Sequence, residues 1–218
     1  MCEVATTEAK ELHIVDFTER TMSARKVEIH TKIPFIPETT TEMDGLTLNN
    51  ATSLSVDHVI FDDCQFKDDK GLQIEHCECC LFPSSGNEGC WIMFVEIKDC
   101  KPKNIAVYKE KCKSQLVSTI QDFRKHNLIS DTNKVHAVIS FPRRNKTAFN
   151  EMIVGDLIEQ TRLFKEHKIY FVAAALLVTW LLGMIGIRYT APDQVDRLMI
   201  LDAITTLSAS FIPPFSLL

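Results

Sequence analysis

Three ionisable residues in this 218-residue chain have types and spacing suited to joint chemistry: Asp57, Glu96 and Lys98. Glu96 and Lys98 close the run Trp91-Ile92-Met93-Phe94-Val95-Glu96-Ile97-Lys98. Its first five residues are apolar without a polar break, which suits a strand buried on both faces. Strand side chains alternate, so Glu96 and Lys98 share one face and Ile97 takes the other. Charge at the end of a buried strand is costly, and that cost is what marks the pair out. Asp57 stands near the start of a second apolar run, Val56 to Phe61. A hard cation such as Mg²⁺ or Mn²⁺ takes oxygen ligands, commonly one or two carboxylates plus water. Held by Asp57 and Glu96, it would offset charge developing on a phosphodiester undergoing hydrolysis. Lys98 would orient or help deprotonate the attacking water and stabilise negative charge. The bland alternative is an exposed Glu-x-Lys ion pair, worth under about 1 kcal/mol.

The elements that must position these residues follow from periodicity. Alternation predicts a strand over 26–33, stopped by Pro34 and Pro37. A short strand is expected at 46–48, then strands over 56–61, 70–82, 91–98 and 134–141. Pro83 to Gly89 reads as a turn or loop. Ile105, Tyr108, Cys112, Leu116, Ile120 and Phe123 recur at gaps of three or four, which predicts a long amphipathic helix over 103–127. Thr147 is a fair cap for a second helix to about Lys165. Residues 1–25 are polar and read as a flexible segment, with a short helix over 8–20 as the alternative.

An Asp opening one apolar strand, a Glu-x-Lys ending a neighbouring one and a long helix after it resemble the PD-(D/E)xK nuclease superfamily. The likeness covers residues 26–142. It implies a restriction-endonuclease-like core that runs helix, three strands, helix, strand. It also implies that the Ile97 carbonyl is a main-chain metal ligand beside Asp57 and Glu96. Gln115, in Gln115-Leu116 on the following helix, resembles a Gln-Leu that some of these families carry near the site. Arg143, Arg144 and Lys146 follow the next strand and would meet a phosphate backbone; as a solvated loop they would do nothing special. The chain departs from the pattern in four ways. Val56 rather than Pro precedes Asp57, 39 residues separate Asp57 from Glu96, the N-terminal helix is weak, and Asp62 and Asp63 compete with Asp57 for the ion.

Other features bear on partners and location. Net charge is −5, so no overall basicity points to nucleic acid, and such a role must rest on local groups. Eight cysteines without an apolar leader read as reduced, cytosolic thiols. Cys77-Glu78-Cys79-Cys80 does not have the paired C-x₂₋₄-C spacing of a zinc site. Only five charged residues fall in 169–218, and none in the 19 residues 169–187. That run is long enough to cross a hydrocarbon layer of ~30 Å as a helix. The alternative is a last strand beginning at Ile169 plus a core helix; the two exclude each other.

Together these features predict an α/β domain over 26–168, a mixed central sheet flanked by helices, and a tail over 169–218 of one or two transmembrane helices. The expected function is Mg²⁺- or Mn²⁺-dependent hydrolysis of nucleic acid, DNA more than RNA, by a membrane-tethered domain facing the cytoplasm. A catalytically inactive membrane-anchored binding or sensing module on the same fold is the rival, a small zinc protein is a third reading, and a wholly cytoplasmic chain is the alternative location.

Overall fold

The structure, a computed structural model, describes residues 3–16, 27–35, 42–43, 45–50, 52–61, 66–84, 91–98, 100, 104–130, 132–141, 157–174, 177–182 and 185–188. Its strands are β1 (Val4–Thr7), β2 (Glu11–Asp16), β3 (Val27–His30), β4 (Leu46–Asn49), β5 (Val56–Ile60), β6 (Cys79–Pro83), β7 (Trp91–Ile97), β8 (Lys134–Ser140), β9 (Ile169–Ala174), β10 (Leu177–Leu182) and β11 (Ile185–Arg188). Two helices, α1 (Ile105–Lys125) and α2 (Leu157–His167), separate β7, β8 and β9.

The strands form two sheets, ordered β1-β5-β6-β7-β8-β9 and β11-β10-β4-β2-β3. In the first, β1, β5, β6 and β7 pair antiparallel, whereas β7, β8 and β9 pair parallel. The direction changes at β7 because its two connections differ. A short link returns the chain from β6, while a 21-residue helix carries it across to β8. The α/β class with a mixed sheet is therefore seen.

The covering layers are not those expected. Ile105, Cys112, Leu116 and Ile120 of α1 bury against one face, with Phe94, Val135, Ala137 and Ile139 beneath them. On the other face Leu12, Ile14, Val27, Leu46 and Leu48 of the second sheet pack on Leu81, Met93, Val95, Ile97 and Val138. Each fully buried aliphatic side chain contributes about 1.5–3 kcal/mol. One face of the central sheet thus meets a helix and the other a second sheet.

That second sheet recruits a segment expected to be flexible. Glu11–Asp16 is a strand with Leu12, His13, Ile14 and Val15 all buried. It pairs with β3 on one side and β4 on the other. Gly45 lies so close to β2 that a methyl there would meet the Ile14 carbonyl oxygen at 2.6 Å. The expected strand over 70–82 shortens to Cys79–Pro83, and residues 66–78 form an irregular arm.

The uncharged run also differs from expectation. Ile169–Ala174 is a parallel strand beside β8, and Leu177–Leu182 and Ile185–Arg188 are strands of the second sheet. Among the described residues, no helix is long and apolar enough to cross a membrane. Lys168 adopts a left-handed backbone (φ 52°) where α2 gives way to β9.

Candidate functional site

Glu96 stands near the end of β7 and is fully buried. Alternation from Ile92 and Phe94 turns it toward α1. Lys98 follows on the same face, its amide bonded to the Ser140 carbonyl at 2.9 Å, so the parallel pairing continues past the strand end. The Lys98 ammonium lies 3.0 Å from Glu96 Oε1. Both Glu96 oxygens are nonetheless without a hydrogen bond, so this contact is an ion pair off the hydrogen-bonding line.

The ammonium has a second and shorter contact, 2.5 Å to Oε1 of Glu78. Glu78 immediately precedes β6 and is buried. Its amide donates to the Val95 carbonyl at 3.1 Å, and its own carbonyl accepts from the Phe61 amide at 2.8 Å. The register Cys79↔Val95 continues to set Glu78 opposite Glu96. Both Oε1 atoms touch one nitrogen, so they lie at most about 5.5 Å apart, the two contacts end to end.

Electrostatics at this centre are governed by burial. Desolvation pushes the Glu96 carboxyl up to about 8, with nearby Glu78 adding to the rise and Lys98 opposing it. Burial alone would lower the Lys98 pKa, but the Glu96 and Glu78 carboxylates outweigh it and hold the ammonium well above its usual range. One cation faces two acids, so ionising both leaves negative charge in a nearly dry place. Among the described residues, no group of three or more His, Cys, Asp or Glu side chains gathers as a metal site. The two carboxyl groups are oxygen donors of the kind a hard divalent ion takes, and the Lys98 ammonium lies against both of them.

Asp57 is elsewhere. It pairs with Phe82 across β5 and β6, four positions along β6 from Glu78. At ~3.3 Å per residue and ~4.8 Å per strand, its carboxylate is about 16 Å from Glu96. Two metal–oxygen bonds of ~2.1 Å cannot bridge that gap. Asp57 Oδ1 instead accepts hydrogen bonds from Thr6 Oγ1 at 2.6 Å and Ser84 Oγ at 2.7 Å. The expectation that Asp57 and Glu96 share an ion is thereby corrected. The acid that faces Glu96 is Glu78.

The other expected residues divide. The Ile97 side chain points into the opposite core, away from the face that carries Glu96 and Lys98. Gln115 reaches the arm that carries Glu78: its Nε2 donates to the His76 carbonyl at 2.8 Å. Its Oε1 is buried without a hydrogen-bond partner. Arg143, Arg144 and Lys146, and the rival acids Asp62 and Asp63, lie outside the described residues.

Among the described residues, Cys77, Cys79, Cys80 and Cys112 are buried free thiols. Cys77, Cys79 and Cys112 are pushed upward chiefly by desolvation, with the Glu96 charge adding to each. Burial raises Cys80 to about 12. Cys79 and Cys80 belong to opposite cores, as alternation requires. Such thiols make poor nucleophiles, because the thiolate is the reactive form.

Glu78 escaped the sequence reading because it sits within Cys77-Glu78-Cys79-Cys80, where the cysteines drew the eye. Its signal was there: with a hairpin between 79–83 and 91–97, the acid before the first strand falls level with the acid ending the second. Set against protein-family models, curated proteins and solved structures, the chain matches none of them.

Proposed function

We propose that Glu78, Glu96 and Lys98 form the reactive centre of a metal-dependent phosphodiesterase acting on nucleic acid, DNA before RNA, on a PD-(D/E)xK-like core. One observation carries this reading: a fully buried carboxyl at the end of β7 whose oxygens accept no hydrogen bond, beside an ammonium shared with a second acid. A folded chain gains nothing in stability from such an arrangement. The order β5, β6, β7, α1, β8 supports it too, since it gives the last five elements of that superfamily's core; among the described residues, strands β1 to β4 rather than the leading helix precede them. In this assignment the first acid is Glu78, at the mouth of the middle strand.

Mg²⁺ or Mn²⁺, when bound, would polarise the phosphoryl group and lower the pKa of a bound water. Glu78 and Glu96 would hold it, with the Ile97 carbonyl as the main-chain ligand. Lys98 would orient the attacking water and stabilise charge at the phosphoryl oxygens. Arg143, Arg144 and Lys146 follow β8, whose C-terminal end lies beside that of β7, and they supply the phosphate contacts. The membrane contact expected from composition rests on the apolar run 169–187, most of which is strand; residues 189–218 lie outside the described residues.

The test is Mg²⁺- or Mn²⁺-dependent cleavage of plasmid DNA, linear DNA and RNA by the full chain. Glu78→Ala, Glu96→Ala and Lys98→Ala should each lower the rate by at least about 100-fold. Asp57→Ala and Cys79→Ala should keep it. A folded chain that cleaves none of these substrates would sink the reading. A second reading is favoured by the short Lys98–Glu78 contact, which already satisfies part of the site: a non-catalytic nucleic-acid-binding module. Metal-independent binding without turnover would select it.

A further inference from the structure

Glu78 precedes its strand, so something other than the β-ladder must fix the arm behind it. The hydroxyl of Thr119 on α1 does this. Thr119 is fully buried. Its Oγ1 accepts the Cys77 amide hydrogen at 2.8 Å and donates to the Gln115 carbonyl one turn back at 2.8 Å. Gln115 Nε2 then holds the His76 carbonyl at 2.8 Å. The single His76–Cys77 peptide is thereby tied to α1 through both its carbonyl and its amide, while Glu78 itself is tied to Val95 of β7 and to Phe61.

A buried Thr mid-helix that bonds back to its own turn gains little for the helix. Its second, long-range bond is the part with an effect on the site. It couples the position of α1 to the gap between Glu78 and Glu96, because Glu96 is on a strand that α1 packs upon. We propose that Thr119 is a positioning residue for the ion-binding pair, setting the reach of Glu78 through the Cys77 peptide without touching the ion. This inference rests on the reading that Glu78 and Glu96 bind a divalent ion.

Outer-sphere groups of this kind commonly change metal affinity by about 10- to 100-fold. The experiment titrates Mn²⁺ into the full chain by calorimetry. Wild type should bind, and Glu96→Gln should abolish binding. Thr119→Val keeps the shape but loses the acceptor; it should bind Mn²⁺ about 10- to 100-fold more weakly, with faster hydrogen exchange at the Cys77 amide. Thr119→Ser keeps the hydroxyl and should restore the affinity. Leu12→Ala, in the other core, controls for lost stability and should bind as wild type does. If Thr119→Val does not fold, Thr119→Ala carries the same expectation, since the space left admits a water to the amide.

Undiminished affinity in the folded valine or alanine variant overturns the positioning role and leaves the metal site standing. An equal loss in Leu12→Ala also overturns it, because the effect would then be general. Absence of Mn²⁺ binding in wild type overturns both.

Discussion

The Lys98 ammonium lies 2.5 Å from Glu78 Oε1, across a sequence separation of 20 residues. This contact replaces the partnership of Glu96 with Asp57 that spacing along the chain had suggested, and it makes the two acids separable by mutation. Glu78→Gln should lower Mn²⁺ affinity at least about tenfold. Asp57→Ala should leave that affinity unchanged and cost about 1 kcal/mol, for the acceptor lost to Thr6 and Ser84. Calorimetric titration and urea melts distinguish the two. A large loss of affinity in Asp57→Ala would contradict the assignment.

The buried acid gives stability a characteristic pH dependence when divalent ions are chelated. Glu96 titrates near 4.5 when unperturbed and near 8 in the fold, so between these values the folded state binds the extra proton. Stability must then fall as pH rises, with a limiting slope of about 1.4 kcal/mol per unit. His136 opposes this lower down. Burial, with Lys134 assisting, depresses it from 6.5 to about 4, so its contribution is present above 6.5 and is lost as pH falls. His13 and His58 are lowered by burial too and act in the same sense. The histidines still bind protons in the unfolded chain up to about pH 7.5, so the Glu96 effect is clearest between about pH 7.5 and 8, where the buried thiols only begin to act in the same sense. Urea melts with chelator should show declining stability there, and Glu96→Gln should flatten it. Rising wild-type stability across that window would rule the assignment out.

Gly45→Ala probes the second sheet without touching the site. The new methyl would stand 2.6 Å from the Ile14 carbonyl oxygen and 2.8 Å from Val15 Cγ1, so β2 and the entry to β4 must part. The expected cost is about 1–3 kcal/mol, read as a lowered melting midpoint. No change in the midpoint would mean that the close approach is absent in solution.

Truncation separates sheet from tail. A chain ending at Lys168 loses β9, together with the buried Ile169 and Phe171, each worth about 1.5–3 kcal/mol. It also bares the edge of β8, and it should aggregate or melt early. A chain ending at Arg188 keeps all eleven strands and should stay folded. Comparing the two by melting and the longer one with full-length protein by membrane fractionation locates both functions. Equal melting of the two truncated chains would argue against β9 as part of the sheet.

Long periodic elements were legible in the sequence. The stripe Ile105, Cys112, Leu116 and Ile120 announced α1, the unbroken apolar run 91–95 announced β7, and mostly apolar, β-branched stretches announced β5 and β8. Two kinds of feature were not. Short elements whose burial comes from tertiary pairing leave little local pattern, and β2, with six residues inside a polar stretch, is such a case. The run 169–187 is ambiguous for a different reason: a strand of a sheet covered on both faces is as apolar as a membrane span, and composition cannot separate them. Of the site, Glu96 and Lys98 stood out because charge is rare in a buried strand. Their partner did not, because register across a hairpin is set by a turn that the sequence leaves open.

The reversal of strand direction at β7 has a consequence for how such a protein would diversify. The N-terminal end of β6 and the C-terminal ends of β5, β7 and β8 all meet at one margin of the sheet. The acids and the lysine stand on strand ends there, anchored by two cores. Three separate connections leave from the same margin, between β5 and β6, β7 and α1, and β8 and α2. Their stretches beyond Glu78 and Lys98 can lengthen or change composition while the acids and the lysine keep their spacing. On the proposed function, reaction and choice of substrate would then be encoded in different stretches of the chain, and one could be rewritten by inheritance or by design while the other is left alone.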